Sequence, residues 1–221
     1  DPEEIYQVLL RLTGPNGDIV SPSVFMGIAE EHGMMARIDR WVLQRAIAAI
    51  AQRRRSGRNT RLFVKVTVES LQDPKLAAWI GANLKQADVP AENLVLCLPE
   101  SKAFTNLKAV QDLHAALSTM GCGLCLEQFG LGLNSFQLLS HVPADYLGID
   151  HSLIEDLSRN PESQAKVREI TDRAAQLGRK TIAEGAQDAG SMTILFTSNV
   201  QYVYGNFLAP PEREMKFDFN Q

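Results

Sequence analysis

Cysteine is scarce in this chain, with only Cys97, Cys122 and Cys125 present. Three thiols cannot all pair, so no disulfide framework is expected. Cys122-Gly-Leu-Cys125 has redox spacing, but reactive pairs sit at helix N-termini, where the thiol pKa falls. This pair opens an apolar run instead, so small buried residues are the expectation. No second cysteine pair is present to complete a zinc site. A surplus of positive charge is missing as well: 22 Lys and Arg stand against 26 Asp and Glu, a formal net charge of −4. That excludes a strongly basic surface for polymeric DNA or RNA. The basic cluster Arg53-Arg54-Arg55 with Arg58 follows a helical pattern, where cations complement the negative end of the dipole, and is expected as a solvated helix terminus. No stretch approaches the ~20 apolar residues that span a bilayer, so no membrane insertion is expected.

The opening DPEEIYQVLL lacks the basic and apolar regions of a signal peptide. Apolar patterning begins by Ile5, and no linker rich in Pro, Gly or Ser interrupts it. The expectation is one domain over residues 1–221, cut from a longer multidomain protein and cytoplasmic.

Hydrophobic residues make up 45% of the chain, enough for a sizeable core. Helical stripes appear at Leu43, Ile47 and Ile50, and at Leu76, Trp79, Ile80 and Leu84 after an Asp73-Pro74 start. Two more run through Leu107, Val110, Leu113 and Leu117 to Gly121, and through Val167, Ile170, Ala174 and Leu177 between Asn160-Pro161 and Gly178. Met34, Met35 and Trp41 are expected in the core. Between the helices lie apolar runs of strand length: 5–12, 62–68, 94–98, 123–126, 146–149, 180–183 and 200–203. Their continuous character suits strands buried on both faces. Strand and helix alternate, which predicts an α/β fold with a mainly parallel sheet, and seven strands favour a barrel.

In a β/α barrel, chemistry gathers at the C-terminal ends of the strands. The polar residues there are Gln7 with Arg11, Lys65 with Thr67, Cys97 with Glu100, Glu127-Gln128, Asp150, Glu184 with Gln187, and Tyr204-Gly205-Asn206. The stretch 125–136, CLEQFGLGLNSF, joins one strand end to a helix that Asn134 and Ser135 are placed to cap.

These positions carry a resemblance over nearly the whole chain. Tyr6–Arg11, Ile38-Asp39-Arg40-Trp41, Glu127-Gln128-Phe129-Gly130, Gly148-Ile149-Asp150, Ala183-Glu184-Gly185 and Tyr204-Gly205-Asn206-Phe207 fall in the order and spacing of the EAL domain. The resemblance implies a modified TIM-like β/α barrel whose active members hydrolyse cyclic di-GMP with two divalent cations. It also implies what has changed here. Gln7 stands for the Glu of Glu-Ala-Leu, Lys65 for a metal-binding Asn and Cys97 for a Glu. Glu127-Gln128 replaces paired aspartates, Gly148 the catalytic Lys, Gln187 a Glu and Tyr204 a Gln. Glu100, Asp150 and Glu184 are retained.

Two hard cations need several anionic oxygens. Gln7 and Gln128 lack the charge, Cys97 is soft, and Lys65 repels a cation. The expectation is therefore no enzyme, no resident metal and no required cofactor. The pattern of losses is similar to the FimX-type subgroup of degenerate EAL domains, which implies a cyclic di-GMP receptor of type IV pilus and twitching control with a PilZ-domain adaptor as partner. Under that resemblance Arg11 reaches the phosphodiester; Lys65 is expected to neutralise the phosphate in place of metals, and Asp39 and Glu184 to accept from guanine. Leu12, Ser21, Pro22 and Tyr204–Phe207 form walls, with Gln7, Val8, Leu9, Asp150, Gly185, Gly205 and Asn206 completing the ligand-binding set. The alternatives are a ligand-free assembly scaffold and a weak phosphodiesterase in which Glu127, Asp150 and Glu184 hold one metal.

Overall fold

The computed structural model describes residues 3–219, so residues 1, 2, 220 and 221 of the expected domain lie outside the described residues. The chain forms two compact units. Among the described residues, one comprises residues 3–96, Ala115–Cys122 and Phe219; the other comprises Cys97–His114 and Gly123–Asp218.

In the first unit, strand β1 (Glu4–Gln7) is followed by a short antiparallel pair, β2 (Leu12–Thr13) and β3 (Ile19–Val20). Helices α1 (Pro22–Glu31) and α2 (Met35–Arg55) lead to β4 (Thr60–Lys65), and α3 (Val68–Leu71) and α4 (Leu76–Ala87) follow. Strands β1 and β4 are parallel, in register from Glu4↔Thr60 to Gln7↔Phe63. Leu43, Ala46, Ile47 and Ile50 recur every three or four residues along α2 and are buried, as are Leu76, Ile80 and Leu84 of α4. Each fully buried Leu or Ile contributes about 1.5–3 kcal/mol over leaving it exposed.

Strand β5 (Leu94–Pro99) passes from the first unit into the second. After it come α5 (Glu100–Thr105) and α6 (Leu107–Met120), whose last residues, from Ala115, belong to the first unit, and then β6 (Gly123–Phe129), α7 (Ser135–His141), β7 (Tyr146–Ile149) and α8 (His151–Ile154) in the second. Helix α9 (Pro161–Gln176), β8 (Lys180–Glu184), α10 (Ala189–Thr197) and β9 (Tyr202–Tyr204) complete the order. Asn160 caps α9 as its sequence suggests, its side chain accepting from the Glu162 and Ser163 N–H groups at 3.1 Å. Strands β6, β7, β8 and β9 pair in parallel. Sheet order follows the chain, β1-β4-β5-β6-β7-β8-β9.

All seven expected strands are present, but the first stops at Gln7 rather than Leu12. Beyond Val8 the chain leaves the ladder, and Leu12 instead enters the β2–β3 pair with 44% of its surface exposed. Helix α4 starts at Leu76, later than Asp73-Pro74 suggests, because the Asp73 carboxylate accepts from the Lys75 N–H at 2.9 Å and pairs with Arg40. The arginine cluster is not a simple solvated terminus: Arg53 and Arg58 pair with the buried carboxylate of Glu4, and Arg54 pairs with Asp88. Met35 is buried, but Met34 and Trp41 are exposed, the latter lying under the Arg45 guanidinium at 5.6 Å. Leu177 is also exposed, since α9 ends at Gln176. The three cysteines form no disulfide and are buried, and burial pushes the pKa of the Cys122 thiol up to about 12.

Candidate functional site

The sequence-selected polar residues do stand at strand ends, and each unit presents its own set. In the first unit, Gln7 closes β1 and Lys65, exposed, closes β4. The Val8 N–H continues the ladder by donating to the Phe63 carbonyl at 2.9 Å. Beyond it, Leu9, Arg11 and Leu12 are exposed, and the Arg11 guanidinium donates to the Leu10 carbonyl at 2.9 Å. Ser21 and Pro22 open α1, also exposed.

Asp39 is held from within the protein. It is 5% exposed, and its Oδ2 accepts from the Thr67 N–H and hydroxyl, both at 2.7 Å, and from the Ser70 hydroxyl at 2.6 Å. Burial pushes its carboxyl up, and these donors offset that only in part. A carboxylate so placed ties α2 to the start of α3. Oδ2 of the residue assigned to guanine is thus already held by three protein donors.

In the second unit, β6 ends irregularly. Its register with β7 shifts between Leu126 and Phe129, and Gln128 sits in the left-handed region at φ 54°. A non-glycine residue there is strained, so the bulge is held by its surroundings. Phe129 is fully buried against Phe136, edge to face at 5.2 Å. The Gly130 N–H donates to the buried carboxylate of Glu100 at 3.0 Å, so this retained acid anchors the turn. Gly130 sits at φ 105°, which favours glycine, and a Cβ there would also push the tip of Ile170, whose Cδ1 would lie 2.5 Å away. Asn134 occupies the cap position of α7, but its side chain makes no capping bond; the Ser135 hydroxyl donates to the Gly132 carbonyl at 3.1 Å.

Asp150 is likewise engaged: its Oδ1 accepts from the Ser152 N–H at 2.9 Å and hydroxyl at 2.7 Å, capping α8. Gly148 sits beside the bulge, where a Cβ would lie 3.4 Å from the Glu127 Cα. Glu184 closes β8 and Tyr204 closes β9, and the Tyr204 hydroxyl donates to Glu184 Oε2 at 2.8 Å. Burial, then the adjacent Glu184 charge, hold the phenol far above its ordinary pKa. Gly185 and Gly205 lie back to back, with Asn206 and Phe207 exposed after them. Sequence reasoning placed Glu184 and Tyr204 in one set but missed the bond between them. The cue is that both residues end adjacent strands.

Comparison with known proteins is consistent with this arrangement. The EAL domain family model matches residues 3–211. The FimX EAL domain of Xanthomonas citri, solved in complex with c-diGMP, is 45% identical, with a TM-score of 0.94 over 98% of this chain and 85% of that one. The FimX EAL domain from Pseudomonas aeruginosa bound to c-di-GMP is 34% identical, with a TM-score of 0.93 over 99% and 88%. The cyclic di-GMP phosphodiesterase PdeF of Escherichia coli is 26% identical over 94% of this chain, which spans only 28% of that protein. The α/β architecture with its parallel strands is thus the TIM-like EAL fold. The chain belongs to the EAL domain family and is of the FimX type.

Proposed function

We propose that this chain is a non-catalytic receptor for cyclic di-GMP. Support for the ligand comes from its likeness to FimX EAL domains solved with that dinucleotide bound. The observation that carries the non-catalytic part is that the retained acids already accept from protein donors. Glu100 takes the Gly130 N–H, Asp150 caps α8, and Glu184 holds the Tyr204 hydroxyl. Hard divalent cations need anionic oxygens directed at them. The replaced positions supply three uncharged amides (Gln7, Gln128 and Gln187), the Lys65 ammonium and a Cys97 thiol 1% exposed, with Glu127 the single carboxylate among them, a donor set that does not fit a two-cation site.

In this reading Arg11 and Lys65 offset the phosphodiester charge and Glu184 accepts from guanine. The first unit contributes Val8, Leu9, Leu12, Ser21 and Pro22 to the proposed ligand-binding set, and the second contributes Gly185 and Tyr204–Phe207. Gln7 and Asp150 stay in the set as polar neighbours. The loaded domain signals to a PilZ-domain adaptor in type IV pilus and twitching control. This last step rests on the resemblance of the substitution pattern.

Calorimetric titration of cyclic di-GMP in EDTA tests the receptor. Chromatography of the nucleotide after incubation with Mg²⁺ or Mn²⁺ tests catalysis. Metal-free binding with intact nucleotide is the expected result. Linear product would overturn the non-catalytic reading in favour of the activity named for relatives such as PdeF. Absence of heat would favour an assembly scaffold.

A further inference from the structure

Two neighbouring strands end on a carboxylate and a phenol that hold one another. Glu184 of β8 and Tyr204 of β9 are register partners in a parallel pair. Such partners project to the same face of a sheet, and here the hydroxyl donates to Oε2 at 2.8 Å. The backbone fixes the pair too. The Gly185 N–H donates to the Tyr204 carbonyl at 2.8 Å, and a Cβ on Gly205 would come within 3.0 Å of the Gly185 Cα. The strand ends are thus in backbone contact, which leaves the phenol little freedom to drift from the carboxylate.

A glutamate side chain loses rotamer freedom when a ligand orders it. Tyr204 orders this one beforehand, while Glu184 stays exposed. The tether persists through neutral pH because the phenol keeps its proton. Guanine presents two adjacent donors, N1–H and the N2 amino group. A carboxylate held in one orientation accepts both from a correctly placed base. If the base lacks one donor, a tethered carboxylate cannot turn away to water at little cost, so the mismatch weakens binding more.

We infer that Tyr204 is a positioning residue which, by holding Glu184, sets the discrimination between guanine and bases lacking its second donor. The inference rests on the receptor reading above. The test is calorimetric titration of cyclic di-GMP and cyclic di-inosine monophosphate, which differ only in the N2 amino groups. The proteins are the unmodified chain, Tyr204→Phe, Glu184→Gln and the double variant. The unmodified chain should prefer the guanine dinucleotide, and Tyr204→Phe should cut that preference about tenfold, the equivalent of one charge-assisted hydrogen bond. In the Glu184→Gln background the tyrosine substitution should change the preference little, because Tyr204 acts through the carboxylate.

An unchanged preference in Tyr204→Phe, or an equal loss of affinity for both dinucleotides, would overturn the inference alone. So would the same effect of the tyrosine substitution with and without Glu184. Failure of the unmodified chain to bind either dinucleotide would remove the receptor reading and the inference together. Tyr204→Leu, with the same expected loss of preference, serves if the phenylalanine variant does not fold.

Discussion

Three donors converge on a single oxygen of Asp39, an interior carboxylate. Removing the acceptor leaves the Thr67 N–H and two hydroxyls without their partner, at a cost of about 2–4 kcal/mol. Asp39→Ala should lower stability by that amount in urea denaturation, whereas a variant of exposed Arg11 should not. Weakening of nucleotide binding by Asp39→Ala out of proportion to stability would support a direct ligand role. Position 39 was legible as part of a motif, but its hydrogen-bond partners were not. Helical periodicity places the residue on α2, yet only the folded chain brings Thr67 and Ser70 to it. The same holds for Trp41, whose aromatic character suggests the core and whose surface is 54% exposed.

A second interior acid joins whole elements. Glu4 of β1 accepts from Thr60 of β4 at 2.8 Å, from Arg53 of α2, and from Arg58 between them at 2.8 Å. Burial opposes its ionisation, but the Arg53, Thr60 and Arg58 donors outweigh it and hold the carboxyl below its ordinary value of 4.5. A depressed carboxyl stabilises the fold fully above the unfolded-state value, and that stability is lost as pH falls through the lower folded value. Urea midpoints followed from about pH 6 down to about pH 3 should therefore fall less steeply for Glu4→Gln, which starts from lower stability. An unchanged acid slope would mean the ion pairs contribute nothing at this junction. Elements were legible in proportion to length and periodicity. α2, α6 and α9 carry apolar stripes over several turns, and the strands carry unbroken apolar runs. The β2–β3 pair and helices such as α3 and α8, four residues each, are too short for any period to show.

For the molecule as a whole, a receptor gains stability from its ligand by mass action. At a nucleotide concentration about a hundred times Kd the folded state gains about 2.7 kcal/mol. For a chain of this length that should raise the melting temperature by about 5–10 °C. Thermal melts with cyclic di-GMP should show the rise equally in EDTA and in Mg²⁺; a rise confined to Mg²⁺ would reinstate a metal in the site. The family was legible because six short motifs keep their order across the chain. Commitment of Glu100, Asp150 and Glu184 to protein donors was not, because hydrogen bonding depends on backbone geometry that spacing does not encode. The buried thiols have a practical consequence. Cys97, Cys122 and Cys125 are at most 4% exposed, and that of Cys122 holds its proton far above neutrality. Alkylating reagents act on exposed thiolates. A single cysteine introduced on the loop after β6, where Leu133 is fully solvent-accessible, would thus be the one reactive handle, and a dye attached there could report on the domain with its native thiols left in place.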